Sequence, residues 1–488
     1  MGVVAKQSII NTLITYVGFG FGAINTLFLF TNILSEEDYG VVSYLLASSN
    51  LLWPLMAFGM QNTLIKFYHS YSTDNLKARM FSWVLLMPLL MLLIIGGAYF
   101  VFNKQIMHHY EQSNTILQQY VWIIIVTGFA SAYFELFYAW AKVHLKSVKG
   151  NLLKELFHRV CISILLIAVF YKYISSSQFI IALAIVYLLR TLFMMMLALN
   201  IKMPEFNLGE LPNKKSILTY SFLILIAATV SVFLLDLDKI MIEDYLPISN
   251  VAIYSICIYM ASVIGVPTRA ILQITNPLTA QLLAEKDINA LDNLNKKTSL
   301  TTVIVTVLIA VLVICNVHSL FEMVPKQYVL YIEIVLLISF VKLFDASLGI
   351  TNSVLFNSDS YRWILVFGVA VLVLAYFLNT FLIPKKGLIG AAFATFLAYF
   401  IYNIVKLLFV YIKFKIQPFV KQSIIACLLG LVISCLFYNW QLINIHPLIS
   451  IAIKGTLIGL VYVSVIYFLR LSPEINQAIN KVIRIKNY

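Results

Sequence analysis

The chain has 488 residues, of which 61% are hydrophobic and only 11% are charged, and its mean hydropathy is +0.92. A soluble globular domain is closer to half apolar and a quarter charged, so this composition excludes an ordinary soluble protein. Apolar runs of about 20 residues, enough to cross a hydrocarbon core of roughly 30 Å, recur from end to end and predict a polytopic membrane protein.

Fourteen candidate spans follow one another along the chain. They begin near residues 9, 40, 80, 117, 152, 178, 216, 247, 299, 328, 362, 387, 420 and 449. Long apolar runs predict helices rather than barrel strands, because the alternating segments of a membrane barrel are absent. The first stretch, Ile9 to Leu34, is too long for a signal peptide and has no small-residue cleavage site after it, so we expect a retained span. The connections are short, and we expect no inserted soluble domain.

The net charge of +13 follows the predicted topology. The N-terminus and the loops after even-numbered spans carry 27 of the 34 Lys and Arg residues, and the loops after odd-numbered spans carry seven. By the positive-inside rule, this distribution predicts that both termini lie in the cytoplasm. Nucleic acid is not needed as a partner to explain the charge.

An internal repeat relates the two halves of the chain. Leu34–Tyr44 (LSEEDYGVVSY) and Leu246–Ile256 (LPISNVAIYSI) lie 212 residues apart, and each joins an odd-numbered span to an even-numbered one. At this offset four pairs are identical or similar: Leu34/Leu246, Asp38/Asn250, Gly40/Ala252 and Ser43/Ser255. Pro54 and Pro267 follow in spans 2 and 8, and each is predicted to kink its helix.

The repeat predicts an all-α fold with two pseudo-symmetric six-helix lobes around a central cavity. The predicted domains are an N-lobe over residues 1–205, a C-lobe over 206–415, an extra helix pair over 416–471 and a basic cytoplasmic tail over 472–488. Parallel repeats with interrupted helices at matching positions are typical of transporters, whose substrate path lies between the lobes.

Several segments carry a family resemblance across nearly the whole chain. They are KQSIINTLITYVG, LSEEDYGVVSY, QNTLIKFYHSY, DLDKIMIEDYLPISNVAIYS and ILQITNPLTAQLLAEKD. In these segments the chain resembles oligosaccharide-lipid flippases of the O-antigen and capsule type, within the multidrug/oligosaccharidyl-lipid/polysaccharide exporter superfamily. It departs from that pattern at Glu243 and Ala252, where the family usually has Gly.

The resemblance implies a substrate and a mechanism. The expected substrate is an oligosaccharide repeat unit on undecaprenyl pyrophosphate, moved from the cytoplasmic to the outer face of a bacterial inner or plasma membrane by alternating access. The expected partners are this lipid-linked glycan, the bilayer and polysaccharide polymerase machinery. The resemblance also implies a cavity lined with cations.

A pyrophosphate entering a low-dielectric path needs positive partners, because an uncompensated buried charge is very costly. Arg matches phosphate oxygens with a planar fork, and Lys acts as a point charge. The candidate substrate-binding cations are Arg269, Lys66, Arg190 and Arg159. For the three arginines the alternative is a side chain that snorkels to the membrane surface.

Two further groups of charged residues are candidates for coupling and gating. Glu135 lies in mid-span 4, where an isolated carboxylate is expensive, and we predict that it couples transport to H⁺ or Na⁺. The alternative is a structural acid. In span 7, Asp236 and Lys239 are three residues apart on one helix face and predict a gating pair. Glu243 and Asp244 are expected to be solvated.

The sequence gives no indication of an enzyme, a metal centre or a cofactor. It has no P-loop, no GxSxG and no HExxH, and His108 and His109 lie in a short outer loop. The five cysteines lie in or beside apolar runs without a CxxC pair, so we expect buried thiols rather than a metal or disulfide role. Two alternatives to a flippase remain: a cation-coupled multidrug antiporter of the same superfamily, and a membrane polysaccharide polymerase or ligase.

Overall fold

The computed structural model describes residues 3–203, 205–207, 209–358, 360–440 and 445–483. All elements in these ranges are helices, as predicted. In unbroken order the α-helices are α1 Val3–Ala23, α2 Phe30–Ile33, α3 Glu36–Ala57, α4 Met60–Phe67, α5 Asp74–Val101, α6 Asn103–Ser113, α7 Thr115–Gln118, α8 Val121–Val143, α9 Ser147–Leu152, α10 His158–Phe170, α11 Ser176–Ile201, α12 Lys214–Tyr245, α13 Ser249–Ser262, α14 Val266–Glu285, α15 Ile288–Cys315, α16 Val317–Glu322, α17 Ile332–Ser347, α18 Thr351–Asn357, α19 Tyr361–Phe414, α20 Lys421–Tyr438, α21 Pro447–Phe468 and α22 Pro473–Ile483.

Among the described residues, ten helices are long and apolar enough to cross a membrane, or eleven if the bent pair α17 and α18 forms one span. The predicted count of fourteen is not confirmed. One reason is that α19 contributes a single stretch of 53 residues, Arg362–Phe414, that contains predicted spans 11 and 12. At a rise of about 1.5 Å per residue it is roughly 80 Å long, more than twice the thickness of a hydrocarbon core. Its backbone turns at Gly387, whose φ of 57° and ψ of −138° are not helical.

The chain divides into two compact units. Unit 1 comprises Met1–Ser255 and Asn379–Leu388, and unit 2 comprises Ile256–Leu378 and Ile389–Tyr488. The lobe and tail boundaries predicted from the repeat stay a prediction, since they describe a symmetry rather than packing. Within the predicted tail, residues 484–488 lie outside the described part of the chain, as do residues 204 and 208 beside the predicted lobe boundary.

Three long helices of unit 1, α3, α5 and α11, begin at side-chain caps that the sequence supplies. Ser35 accepts a hydrogen bond from the backbone of Asp38 at the start of α3, and Thr73 does the same for Leu76 before α5. Ser175 and Gln178 form a reciprocal capping box before α11. These caps satisfy backbone N–H groups that a helix start leaves without partners.

The two predicted proline sites lie beside helix interruptions. In unit 1, α3 ends three residues after Pro54, and the chain passes through left-handed Phe58 and Gly59 before α4 begins. A Cβ on Gly59 would lie 2.3 Å from the carbonyl oxygen of Ser221, so both φ and space require glycine there. In unit 2, a 3₁₀ turn over Val263–Gly265 precedes Pro267, which lies in the first turn of α14.

The core of unit 1 is formed where α3, α4, α5, α8 and α11 pack together. Its aromatic centre joins Phe81 to Trp140 at a ring-centroid distance of 4.1 Å and Tyr68 to Trp140 at 5.3 Å. Apolar burial of this kind holds the polar side chains of α8 and α11 at fixed positions.

The core of unit 2 joins α15 to the C-terminal helices α20 and α21 through Val307, Ile433 and Ile458. Two polar contacts add to it. Tyr462 donates to the carbonyl of Ile304 at 3.0 Å, and buried Lys454 donates to the carbonyl of Cys315 at 2.5 Å. The predicted extra helix pair is therefore packed on α15 by both apolar and polar contacts.

Candidate functional site

A group of charged side chains lies inside unit 1 where α8, α9, α10 and α11 meet. We call it the cation cluster and define it by four cations and two carboxylates: Lys142, Lys154, Arg159, Arg190, Glu135 and Glu155. The formal charge of these six side chains is +2. Two of the four predicted substrate-binding cations, Arg159 and Arg190, and the predicted coupling residue Glu135 are brought together here.

Glu135 does not stand alone in its span. Lys154 Nζ lies 2.5 Å from Glu135 Oε1, and Lys142 and Arg190 also interact with this carboxylate electrostatically. The side chain of Glu135 is 13% exposed and that of Lys154 is 39% exposed, so the pair is partly accessible. Lys154 belongs to a π-helical turn over Leu153–Phe157, a local widening that is frequent at functional sites.

Arg190 is held within the protein interior and does not snorkel. It is 7% exposed, and its Nη2 donates to Ser131 Oγ at 3.1 Å. Its guanidinium carbon lies 4.4 Å from the ring centroid of Phe134 and 4.6 Å from that of Tyr187, which are cation–π contacts. Buried Arg190 Nε has no hydrogen-bond partner, which leaves a donor available for an anion.

Arg159 is positioned by a second π-helical turn, Ile24–Leu29, in the first span. Asn25 from this turn donates to the backbone carbonyl of Arg159 at 2.8 Å, and Ser163 donates to Asn25 Oδ1 at 2.6 Å. Arg159 Nη1 lies 3.7 Å from Glu155 but has no hydrogen-bond partner. The cluster therefore contains two arginines with unused donors.

Predicted gating residues Asp236 and Lys239 form the ion pair that their spacing suggests. Lys239 Nζ lies 2.8 Å from Asp236 Oδ1, and Asn50 of α3 donates to Asp236 Oδ2 at 3.1 Å. Asp236 is 7% exposed, so the pair also ties α12 to α3 inside unit 1. The gating role stays a prediction.

Sequence reasoning missed Asp238, which lies two residues from Asp236 and is also buried. Tyr254 donates to its Oδ2, and Asn379 Nδ2 donates to its Oδ1 at 2.9 Å. A second acid in an apolar run was the available signal, because buried carboxylates are rare without polar partners.

The expectation that Glu243 is solvated is wrong. Glu243 is 3% exposed, and Ser113 of α6 donates to its Oε1 at 2.6 Å. Asp244 is exposed and lies 3.3 Å from His109 Nε2.

Tyr110 lies beside these two acids and shares a hydrogen bond of 3.0 Å with Tyr44. Burial raises the pKa of the Tyr110 phenol above its ordinary value. This phenol therefore stays neutral.

The other two predicted substrate-binding cations, Lys66 and Arg269, have other neighbours. Lys66 in unit 1 is exposed, with its Nζ 3.9 Å from the Tyr220 ring centroid. In unit 2, Arg269 is exposed and interacts electrostatically with Lys342. Lys406 is one of the 27 Lys and Arg residues that the topology count assigns to the N-terminus and the loops after even-numbered spans, but it is 2% exposed and donates to Asn352 Oδ1 at 2.9 Å. A single Lys within the apolar run YNIVKLLFVY was the signal for its burial.

Several solved structures have a fold similar to that of this chain. Lipid II flippase MurJ in an inward closed conformation is 15% identical, with a TM-score of 0.74 over 95% of this chain and 100% of that chain. An inward-facing MATE multidrug resistance transporter of the MOP superfamily is 11% identical, with a TM-score of 0.64 over 84% of this chain and 98% of that chain. A Vibrio cholerae MATE transporter is 13% identical, with a TM-score of 0.57 over 85% of this chain and 99% of that chain. These similar proteins are transporters and flippases rather than enzymes.

The search of curated proteins gave no match. The family model described as polysaccharide biosynthesis protein matches residues 4–282, more than half of the chain. This match confirms the resemblance drawn from the sequence segments. The chain belongs to the polysaccharide biosynthesis protein family and has the all-helical fold of the MOP superfamily.

Proposed function

We propose that this protein is a flippase that translocates undecaprenyl-pyrophosphate-linked oligosaccharide repeat units across a bacterial inner or plasma membrane. The product would serve O-antigen, capsule or exopolysaccharide synthesis. The observation that carries the proposal is the cation cluster, an interior site with four cations, two carboxylates and two arginines whose donors are unused. Membership in a polysaccharide biosynthesis family and the fold of a lipid II flippase support a lipid-linked glycan as substrate.

The chemistry of the cluster suits a pyrophosphate. Arg190 is already desolvated and held by two rings, so little side-chain freedom is lost when it binds an oxyanion. Lys154 is paired with Glu135, and an arriving pyrophosphate would compete with this carboxylate for the ammonium group. The polyprenyl tail would stay in the bilayer, because its transfer into water is unfavourable.

The Glu135–Lys154 pair offers a route to ion coupling. When the Lys154 ammonium group binds the pyrophosphate, Glu135 loses its closest counter-ion and becomes a site for H⁺ or Na⁺. Substrate binding and ion binding would then both depend on whether the Glu135–Lys154 ion pair is formed. The Asp236–Lys239 pair, tied to Asn50, would steady one of the alternating states.

The excess positive charge also separates this proposal from a multidrug antiporter. A site for cationic drugs needs net negative charge, whereas the cation cluster is formally +2. A polymerase or ligase would need catalytic groups in a large outer loop, and the described connections are short.

A flipping assay in proteoliposomes tests the proposal. Purified protein would be reconstituted with a fluorescent undecaprenyl-pyrophosphate oligosaccharide, and translocation would be followed by the loss of fluorescence to a membrane-impermeant quencher. We expect Arg190→Gln and Lys154→Gln to reduce the initial rate at least tenfold. Lys104→Gln, which removes an exposed cation in α6, is the matched control and should retain the wild-type rate. Wild-type rates in both cluster variants, or no translocation by the wild type, would contradict the proposal.

A further inference from the structure

We propose that His109, Glu243 and Asp244 form a binding site for a divalent transition-metal ion of the zinc class. We call these three residues the His109 cluster. Each offers one ligand atom, and the three atoms lie within 4.8 Å of one another. His109 Nε2 and Asp244 Oδ1 are 3.3 Å apart, close to the separation of two ligands on one tetrahedral ion.

The hydrogen bonding of Glu243 supports the metal site independently of the distances between the ligand atoms. Its Oε2 is buried and has no hydrogen-bond partner, while Oε1 accepts from Ser113. A buried carboxylate oxygen without a partner is costly. An ion pair between protonated His109 and Asp244 would account for Asp244 alone and leave this oxygen unsatisfied. A metal ion would satisfy it, and the Ser113 hydrogen bond would orient the carboxylate, as outer-shell partners do in metal sites.

Charge and ligand type select the class of ion. Two carboxylates and a neutral imidazole carry a charge of −2, which a divalent cation balances. Lys239, one turn earlier on α12, is engaged with Asp236 at 2.8 Å. Imidazole with carboxylates suits zinc, whose sites commonly combine three protein ligands with one water. Calcium and magnesium prefer six or more oxygen ligands, so the histidine argues against them.

The site would join two parts of unit 1 that are distant in sequence. His109 lies in α6, the helix that follows α5, and Glu243 and Asp244 are in the last turn of α12. A bound ion would restrain the end of α12 directly before the loop to α13. The inference does not depend on which substrate the protein transports.

Zinc titration of the untagged full-length protein in detergent tests the site, with binding measured by isothermal titration calorimetry. We expect one zinc ion per chain and a loss of affinity of at least tenfold in both His109→Gln and Glu243→Gln. His108→Gln is the matched control, because His108 is adjacent, exposed and paired with Glu111 instead. We expect it to bind zinc like the wild type.

His109 is half exposed, so His109→Gln decides the question even if Glu243→Gln fails to fold. In a second experiment, millimolar magnesium is added to the zinc-loaded protein, and we expect that it does not displace the zinc. Unchanged zinc affinity in His109→Gln would overturn the proposal. A loss in His108→Gln equal to that in His109→Gln, or displacement by magnesium, would overturn it as well.

Discussion

The α-carbon of Gly40 packs against the backbone carbonyl of Ile248. A Cβ placed on Gly40 would lie 2.2 Å from the carbonyl oxygen of Ile248 and 2.7 Å from its carbon. Gly40 lies in the second turn of α3 and Ile248 lies directly before α13, so the two segments related by the predicted internal repeat contact one another within unit 1. Only glycine allows this approach, because the opposing atoms are backbone and cannot rotate away.

We expect Gly40→Ala to destabilise the protein by about 1–3 kcal/mol, the usual cost of overpacking a filled interior. Thermal unfolding of the purified protein measures this change. Gly97→Ala in α5 is the control, since a Cβ at Gly97 meets no atom within 4 Å. Equal unfolding temperatures for the two variants would contradict the tight packing of Gly40 against Ile248.

The Glu135–Lys154 pair predicts a thermodynamic coupling. Lys154→Gln leaves Glu135 without its nearest cation, whereas Lys154→Gln with Glu135→Gln removes both charges. We expect a coupling of about 1–3 kcal/mol, between the values for exposed and buried pairs, because Lys154 is partly exposed. Chemical or thermal unfolding of the two single variants and the double variant gives this value. Additive effects of the single changes would show that the two groups do not interact.

The Asp236–Lys239 pair predicts a functional effect that a charge exchange reverses. Asp236→Asn removes the partner of Lys239 and replaces the acceptor of Asn50, so we expect slower flipping in proteoliposomes. Because the residues lie one helical turn apart, exchanging them as Asp236→Lys with Lys239→Asp retains a pair on the same face. We expect the exchanged variant to recover part of the rate. A wild-type rate in Asp236→Asn would contradict the gating role.

The positive-inside count predicts the orientation of the chain. Lys104, in α6, is predicted to face the outside, and Lys286, between α14 and α15, the cytoplasm; both are exposed. A cysteine at position 104 should therefore react with an impermeant maleimide in intact cells, and one at position 286 only after permeabilisation. The native cysteines are replaced by alanine in both variants. The reverse labelling pattern would show that the chain is inverted.

Sequence alone determined the properties that depend on composition and on local spacing. Hydropathy indicates a helical membrane protein, the ordered segments identify the family, and the three-residue spacing of Asp236 and Lys239 places both on one helix face. Such features require only the helical period and the lengths of apolar runs, because a helix fixes which neighbours along the chain can meet.

Tertiary structure decided which charges are buried and which partners they have. Glu135 meets Lys154, 19 residues away, because the fold places the π-helical turn that contains Lys154 beside α8. Glu243 is buried because Ser113, 130 residues earlier, contacts it across a helix packing that no local pattern specifies. Burial depends on the elements that pack around a residue, so its own helix cannot reveal whether a charge faces lipid, water or another charged group.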